Sequence, residues 1–238
     1  MEQRKELSQF ANRPGITGAF VKQQSKSVQT STYNSNATVD WILNQSDLGY
    51  LPLQIDIPWR MIHEEAQSVR DLMLINPTGD TDSKGWYNFG IFTKGSEHIS
   101  DHNSQFDDQP ADWTNLAQLH MPETVRYFRD NWPAEKIHRI RLLGLEPGGV
   151  IGLHTDDCKG LNNINIAIDH PAGCDFVLEH SGIIPFENGS VFLVNTGRRH
   201  AVVNQSDKFR LHLVVYQDND VHFGNIVLSS YRKYHNAA

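Results

Sequence analysis

Leu145-Glu146-Pro147-Gly148-Gly149-Val150-Ile151-Gly152-Leu153-His154-Thr155-Asp156 reads as a strand end, a turn and a second strand. Proline fixes φ and neighbouring glycines accept positive φ, so Glu146 to Gly149 predicts the turn. Ile137 to Leu145 forms the strand before it, and Val150 to Asp156 the strand after it. The pattern continues downstream over Asn163 to Asp169, Phe176 to Glu179, Val191 to Asn195, Ala201 to Val203 and Phe209 to Gln217. Short apolar runs punctuated by turn residues predict a β-sandwich or barrel.

Upstream the grain is different. Leu51 to Ile57 alternates like a strand, and Pro58 can open a helix in which Trp59, Ile62, Ala66, Val69 and Met73 share a face as far as Leu74. The aromatic run Gly85 to Phe92 reads as a strand, and Pro122 opens a short helix to about Asn131. The polar stretch from Glu97 to Trp113 reads as a loop near a site mouth. Residues 1–50 read as an irregular N-terminal segment, 51–136 as a supporting layer of helix and strand and 137–217 as the β core of a single domain spanning 1–238.

With 39% hydrophobic and 21% charged residues, the chain can bury a core and is not of disordered composition. A net charge of −7 argues against nucleic acid as a partner. No apolar run reaches membrane-span or signal-peptide length, so no membrane partner is expected. Two cysteines, Cys158 and Cys174, suit a reducing cytoplasm, with their pairing left open.

Alternate side chains of a strand share a face, so His154 and Asp156 point into one cavity from a strand end. A lone His-x-Asp pair is weak in a chain of twelve histidines, and a solvated surface pair accounts for it as well. His200 changes that balance. It opens a strand behind the turn Asn195-Thr196-Gly197, and Arg210 follows on the next strand across Asn204-Gln205-Ser206-Asp207. A hairpin of that length predicts Arg210 beside His200. Two imidazoles and a carboxylate make a facial ligand set for a redox-active ferrous ion, with three positions open. Arg210 stands in an apolar run, where a buried guanidinium needs an anion, and its planar fork suits the carboxylate of a co-substrate. It differs in parity from Leu211 and Leu213, so the competing reading turns it outward to solvent. His212 shares its face and reads as a hydrogen-bonded core histidine.

The region from Ile137 to Gln217 resembles the Fe(II)- and 2-oxoglutarate-dependent oxygenases, in the aspartyl/asparaginyl β-hydroxylase-like branch, to which some free-proline hydroxylases are similar. The resemblance is carried by Arg141-Leu142-Leu143-Gly144-Leu145-Glu146-Pro147-Gly148-Gly149, by His154-Thr155-Asp156, and by Asn195 through Arg210 with His200 and Ser206-Asp207. It implies a mainly β fold, a double-stranded β-helix (jelly-roll) core behind an N-terminal helical layer. It implies His154, Asp156 and His200 as the iron ligands and catalytic centre, and Arg210 on the distal carboxylate of 2-oxoglutarate. Where the family often has a basic or imidazole residue that contacts the co-substrate, this strand carries Asn163 and Asn165, of which Asn165 is the better candidate. Arg141 matches an arginine that holds the substrate carboxylate in the proline hydroxylases.

The implied reaction is hydroxylation of an unactivated C–H bond in an amino acid or amino-acid residue, using molecular oxygen and releasing succinate and CO2. A free amino acid would meet Arg141 and acids such as Asp157; a peptide or protein side chain would lie along the polar stretch from Ser96. The alternatives are a non-catalytic β-barrel binding protein and a cupin-like metal-binding barrel that works without 2-oxoglutarate.

Overall fold

The computed structural model describes residues 48–76, 82–94, 111–156 and 162–236. The expectations for residues 1–47, for most of the polar stretch after Ser96, for Asp157 and for Cys158 lie outside these. Strand β1 (Tyr50–Pro52) precedes helix α1 (Trp59–Ser68), a 3-10 turn (Arg70–Leu72) and β2 (Leu74–Ile75). There follow β3 (Lys84–Lys94), β4 (Ala111–Trp113), α2 (Asn115–His120), α3 (Pro122–Asp130) and the long β5 (Ile137–His154). The remaining strands are β6 (Asn162–Asp169), β7 (Cys174–Leu178), β8 (Gly182–Ile183), β9 (Val191–Val194), β10 (His200–Asn204) and β11 (Arg210–Gln217), and α4 (Val221–Asn236) closes the described chain.

The strands pair antiparallel in the order β1-β9-β6-β11-β5-β10-β7-β8, with β3 on β5 and β2 and β4 on β3. The sheet curls into the expected jelly-roll core. Its outer face carries Ile140, Leu142, Leu211, Leu213 and Val215, which pack in one apolar cluster with Ile62, Val125, Phe128 and Phe223 of the helices. Each such side chain contributes roughly 1.5–3 kcal/mol of burial. Alternation turns the intervening residues inward, so Arg210, His212, Val214 and Tyr216 face the interior, all buried. The outward reading of Arg210 fails because the helical layer covers the leucine face.

Two expectations about the β core are corrected. Glu146 to Gly149 does not reverse the chain; it is a bulge within β5. Opposite it, β3 advances from Lys84 to Trp86 while β5 moves from Val150 back to Leu145. Gly148 has φ +70°, and a Cβ on Gly149 would come 2.7 Å from Leu145 Cδ1 and 2.8 Å from the Glu146 carbonyl oxygen. The bulge therefore needs both glycines and bends one strand into two sheet regions. Nor do β10 and β11 form a hairpin: β11 pairs with β5 from Ile137 to Leu145, and β10 pairs with it from Val150 to His154.

The helical layer is tied down by polar contacts. Helix α1 ends at Ser68 rather than Leu74. Its Glu65 carboxylate accepts the Glu123 and Thr124 backbone N–H groups (2.9 and 2.8 Å) and the Thr124 hydroxyl (2.7 Å), capping α3 from a neighbouring helix. Strand character at Leu51 to Ile57 reduces to β1, which pairs with β9. Helix α4 was not anticipated; Asp220 accepts the Phe223 N–H at its start, and Phe223, Val227 and Tyr231 are buried. Among the described residues no helix is long and apolar enough to cross a membrane.

Candidate metal centre

His154 ends β5 and His200 begins β10, and the two are direct register partners. Their ring centroids lie 4.3 Å apart. Asp156, two residues beyond His154, is held by its backbone N–H to the Thr196 carbonyl at 2.8 Å. Its Oδ1 is 3.6 Å from His154 Nε2, and its Oδ2 is 3.8 Å from His200 Nε2. Ligand atoms of all three residues fall within 4.8 Å of one another.

Both imidazoles are oriented by the backbone. His154 Nδ1 donates to the Gly152 carbonyl at 2.7 Å and His200 Nδ1 to the Arg198 carbonyl at 2.9 Å. That fixes the tautomer and leaves each Nε2 lone pair directed at the shared space. His200 stacks on Phe176 with centroids 5.4 Å apart and planes 9° from parallel. Burial pushes His200 down to about 4, against the opposing pull of Asp156, so it stands neutral at pH 7 and ready to ligate.

The three residues line one cavity together with Arg141, Asn165 and Arg210. All six residues singled out in the sequence therefore converge. Arg210 is 2% exposed and Arg141 5% exposed. Neither has a hydrogen-bond or ion-pair partner among the described residues, and Arg210 Nε and Arg141 Nε and Nη1 are buried and unsatisfied. Burial lowers Arg210 to about 10, which leaves it charged at neutral pH. A buried guanidinium without an anion costs several kcal/mol.

The donor set of His154, Asp156 and His200 is that of non-haem ferrous sites, and two unsatisfied guanidinium groups in the same cavity fit carboxylates. Iron(II) and 2-oxoglutarate thus both suit the residues present.

Asn165 lines the cavity, and its Nδ2 donates to Asn163 Oδ1 at 2.7 Å. Asn163, the less favoured of the pair, lies against Asp156. Thr196, Tyr216 and Trp86 also line the cavity. Thr196 carried no signal, since a threonine in a turn looks the same whatever it faces. Tyr216 and Trp86 could be found by parity once the inward face was known. His212 is fully buried within 2.9 Å of His170 Nδ1, a hydrogen-bonded core histidine as read. Cys174 is a buried free thiol.

Several solved structures resemble the chain at low identity. An oxidoreductase of the 2OG-Fe(II) oxygenase family from Burkholderia pseudomallei is 16% identical, with a TM-score of 0.45 over 78% of this chain and 93% of that one. A Pseudomonas putida prolyl-4-hydroxylase is 11% identical, with a TM-score of 0.43 over 78% and 99%. The epimerase SnoN in complex with Fe3+, alpha ketoglutarate and nogalamycin RO is 14% identical, with a TM-score of 0.49 over 76% and 84%. None is similar enough to carry a residue role or a substrate across. No curated protein matches in sequence. The family model for aspartyl/asparaginyl beta-hydroxylase matches residues 57–218, more than half of the chain and the whole of the metal centre. This chain belongs to the aspartyl/asparaginyl beta-hydroxylase family and is a hydroxylase.

Proposed function

We propose that this hydroxylase is an Fe(II)- and 2-oxoglutarate-dependent dioxygenase that acts on an unactivated C–H bond of an amino acid or amino-acid residue, with succinate and CO2 as co-products. The observation that carries the reading is the convergence of His154, Asp156 and His200 in one cavity with two buried arginines that have no anion among the described residues. We take residues 1–238 as one oxygenase domain, and the free Cys174 supports a reducing compartment, the cytoplasm.

His154 Nε2, His200 Nε2 and an Asp156 oxygen hold the metal. Arg210 receives the distal carboxylate of 2-oxoglutarate, and Asn165 forms the adjoining wall. Arg141 receives the carboxylate of the substrate. When bound, iron and keto acid supply the oxidising chemistry, and the protein supplies ligand geometry and orientation. Trp86, Phe176 and Val202 on the lining keep the space between these polar groups apolar, which strengthens the attraction of each arginine for its carboxylate.

Anaerobic titration of the Fe(II)-loaded protein with 2-oxoglutarate tests the reading. A weak visible charge-transfer band should appear in the wild type and be absent from His154→Ala. Metal binding without a band would mean that the keto acid is not a ligand, and a cupin-like barrel would replace this proposal.

A further inference from the structure

Strand β6 brings two asparagines to the cavity face, and their amides are not equivalent. Asn163 is 4% exposed. The two hydrogens of its Nδ2 are shared among three oxygens: Thr196 Oγ1 at 3.0 Å, the Tyr216 hydroxyl at 3.2 Å and Asp156 Oδ2 at 3.4 Å. Its Oδ1 accepts from Asn165 Nδ2 at 2.7 Å. A carboxylate accepts and never donates, so only the NH2 end of Asn163 can face Asp156. Turning the amide over would set Oδ1 against the carboxylate and two NH2 groups against each other.

We propose that Asn163 is a positioning residue for Asp156, aiming that carboxylate at the metal, and that Thr196 and Tyr216 hold Asn163 in this task. The proposal rests on the metal reading of His154, Asp156 and His200 given above. It assigns to the protein's own carboxylate an amide that the family resemblance would have offered to the co-substrate.

The surroundings of Asp156 explain the need. It lies just past the end of β5 with its side chain 33% exposed, and sheet pairing no longer fixes it. Apart from the two imidazoles, the Asn163 amide meets its Oδ2, and the buried Arg139 guanidinium is near enough to feel its charge. A carboxylate so placed can rotate away or engage a metal through both oxygens. An N–H on Oδ2 leaves Oδ1, the oxygen nearer His154 Nε2, as the ligand atom. Thr196 serves twice: its carbonyl accepts the Asp156 backbone N–H, and its hydroxyl accepts from Asn163. Tyr216 is held in turn by Arg139, whose guanidinium carbon lies 4.5 Å from the ring centroid. Backbone and side chain of the ligand are thereby steered from one buried network.

Cobalt(II) serves as the probe, because its binding and absorption spectrum are read without turnover. Asn163→Ala should bind Co(II) roughly 10–100-fold more weakly than wild type, with an altered d–d spectrum. At saturating cobalt its affinity for 2-oxoglutarate should stay close to that of the wild type. Tyr216→Phe keeps the ring and its arginine but loses the hydroxyl, and should weaken cobalt by a smaller factor. Wild-type cobalt affinity in Asn163→Ala overturns the proposal. So does a loss confined to 2-oxoglutarate at saturating metal, which would make Asn163 a co-substrate contact. Should Asn163→Ala fail to fold by circular dichroism, Tyr216→Phe decides, and unchanged cobalt affinity there overturns the proposal. Cobalt binding that His200→Ala leaves intact would instead overturn the metal reading itself.

Discussion

From Val150 to His154, β5 runs beside β10, and the imidazoles there are bonded to backbone carbonyls. From Ile137 to Leu145 the same strand runs between β3 and β11, and polar groups there are buried without partners among the described residues: Arg141 on β5 and Arg210 on β11 on the cavity wall and, off that wall, both amide atoms of Asn88 on β3. One end of the cavity is complete as folded, since a metal ligand must be aimed before the metal arrives. The other end is left unsatisfied, and on the function proposed above carboxylates would satisfy its two arginines. An orphaned buried donor lowers stability and raises affinity for whatever completes it.

The most severe way to break this contrast is Arg210→Met. Removing the guanidinium should cost about 2–5 kcal/mol of 2-oxoglutarate binding. Because it also removes a buried charge that has no anion among the described residues, the ligand-free protein should be no less stable, or more so. Isothermal titration and thermal melts of the same preparation read both effects. A large loss of stability would show that Arg210 has a structural partner.

A second test concerns the imidazole pair behind Arg210. Burial and the Arg210 charge push His170 down to about 4, from an ordinary value of 6.5, and place His212 well below its own. Between pH 6.5 and 4 the unfolded chain takes up protons that the native state refuses. Stability should therefore be level above pH 6.5 and fall as the pH drops toward 4. His170→Gln should flatten that fall by up to one proton, about 1.4 kcal/mol per pH unit, in urea denaturation at pH 4.5 to 7. An unchanged slope would show that His170 is protonated in the fold.

The smallest expected effect is at Asn88, which is 0% exposed with neither amide atom bonded among the described residues. Asn88→Leu should stabilise the ligand-free protein by about 1 kcal/mol, a rise of a few degrees in Tm. A fall would mean that the amide has a role that the bare fold does not reveal.

Much of this was written in local pattern. Alternation marked β6, β7, β9, β10 and β11 to within two residues, because a half-buried strand must repeat every second position; β5 read as two strands, and β8 went unread. The same period put His154 with Asp156, and Arg210 with His212 and Tyr216. Helices α1 and α3 showed through proline at their starts and apolar spacing. Helix α4 went unread even though Asp220 and the Phe223, Val227, Tyr231 spacing announce it.

What local pattern could not supply was everything that depends on distant neighbours. Whether Pro147-Gly148-Gly149 reverses the chain or bends it depends on which strands lie alongside, and β3, β10 and β11 make it a bend. The same packing decided that Arg210 faces inward, because burial of the leucine face against the helices leaves it no other side. It also brought the Asn163 amide against Asp156, Thr196 and Tyr216. Parity can say which residues share a face of a strand, but hydrogen bonds between strands far apart in the chain form only after the sheet has curled.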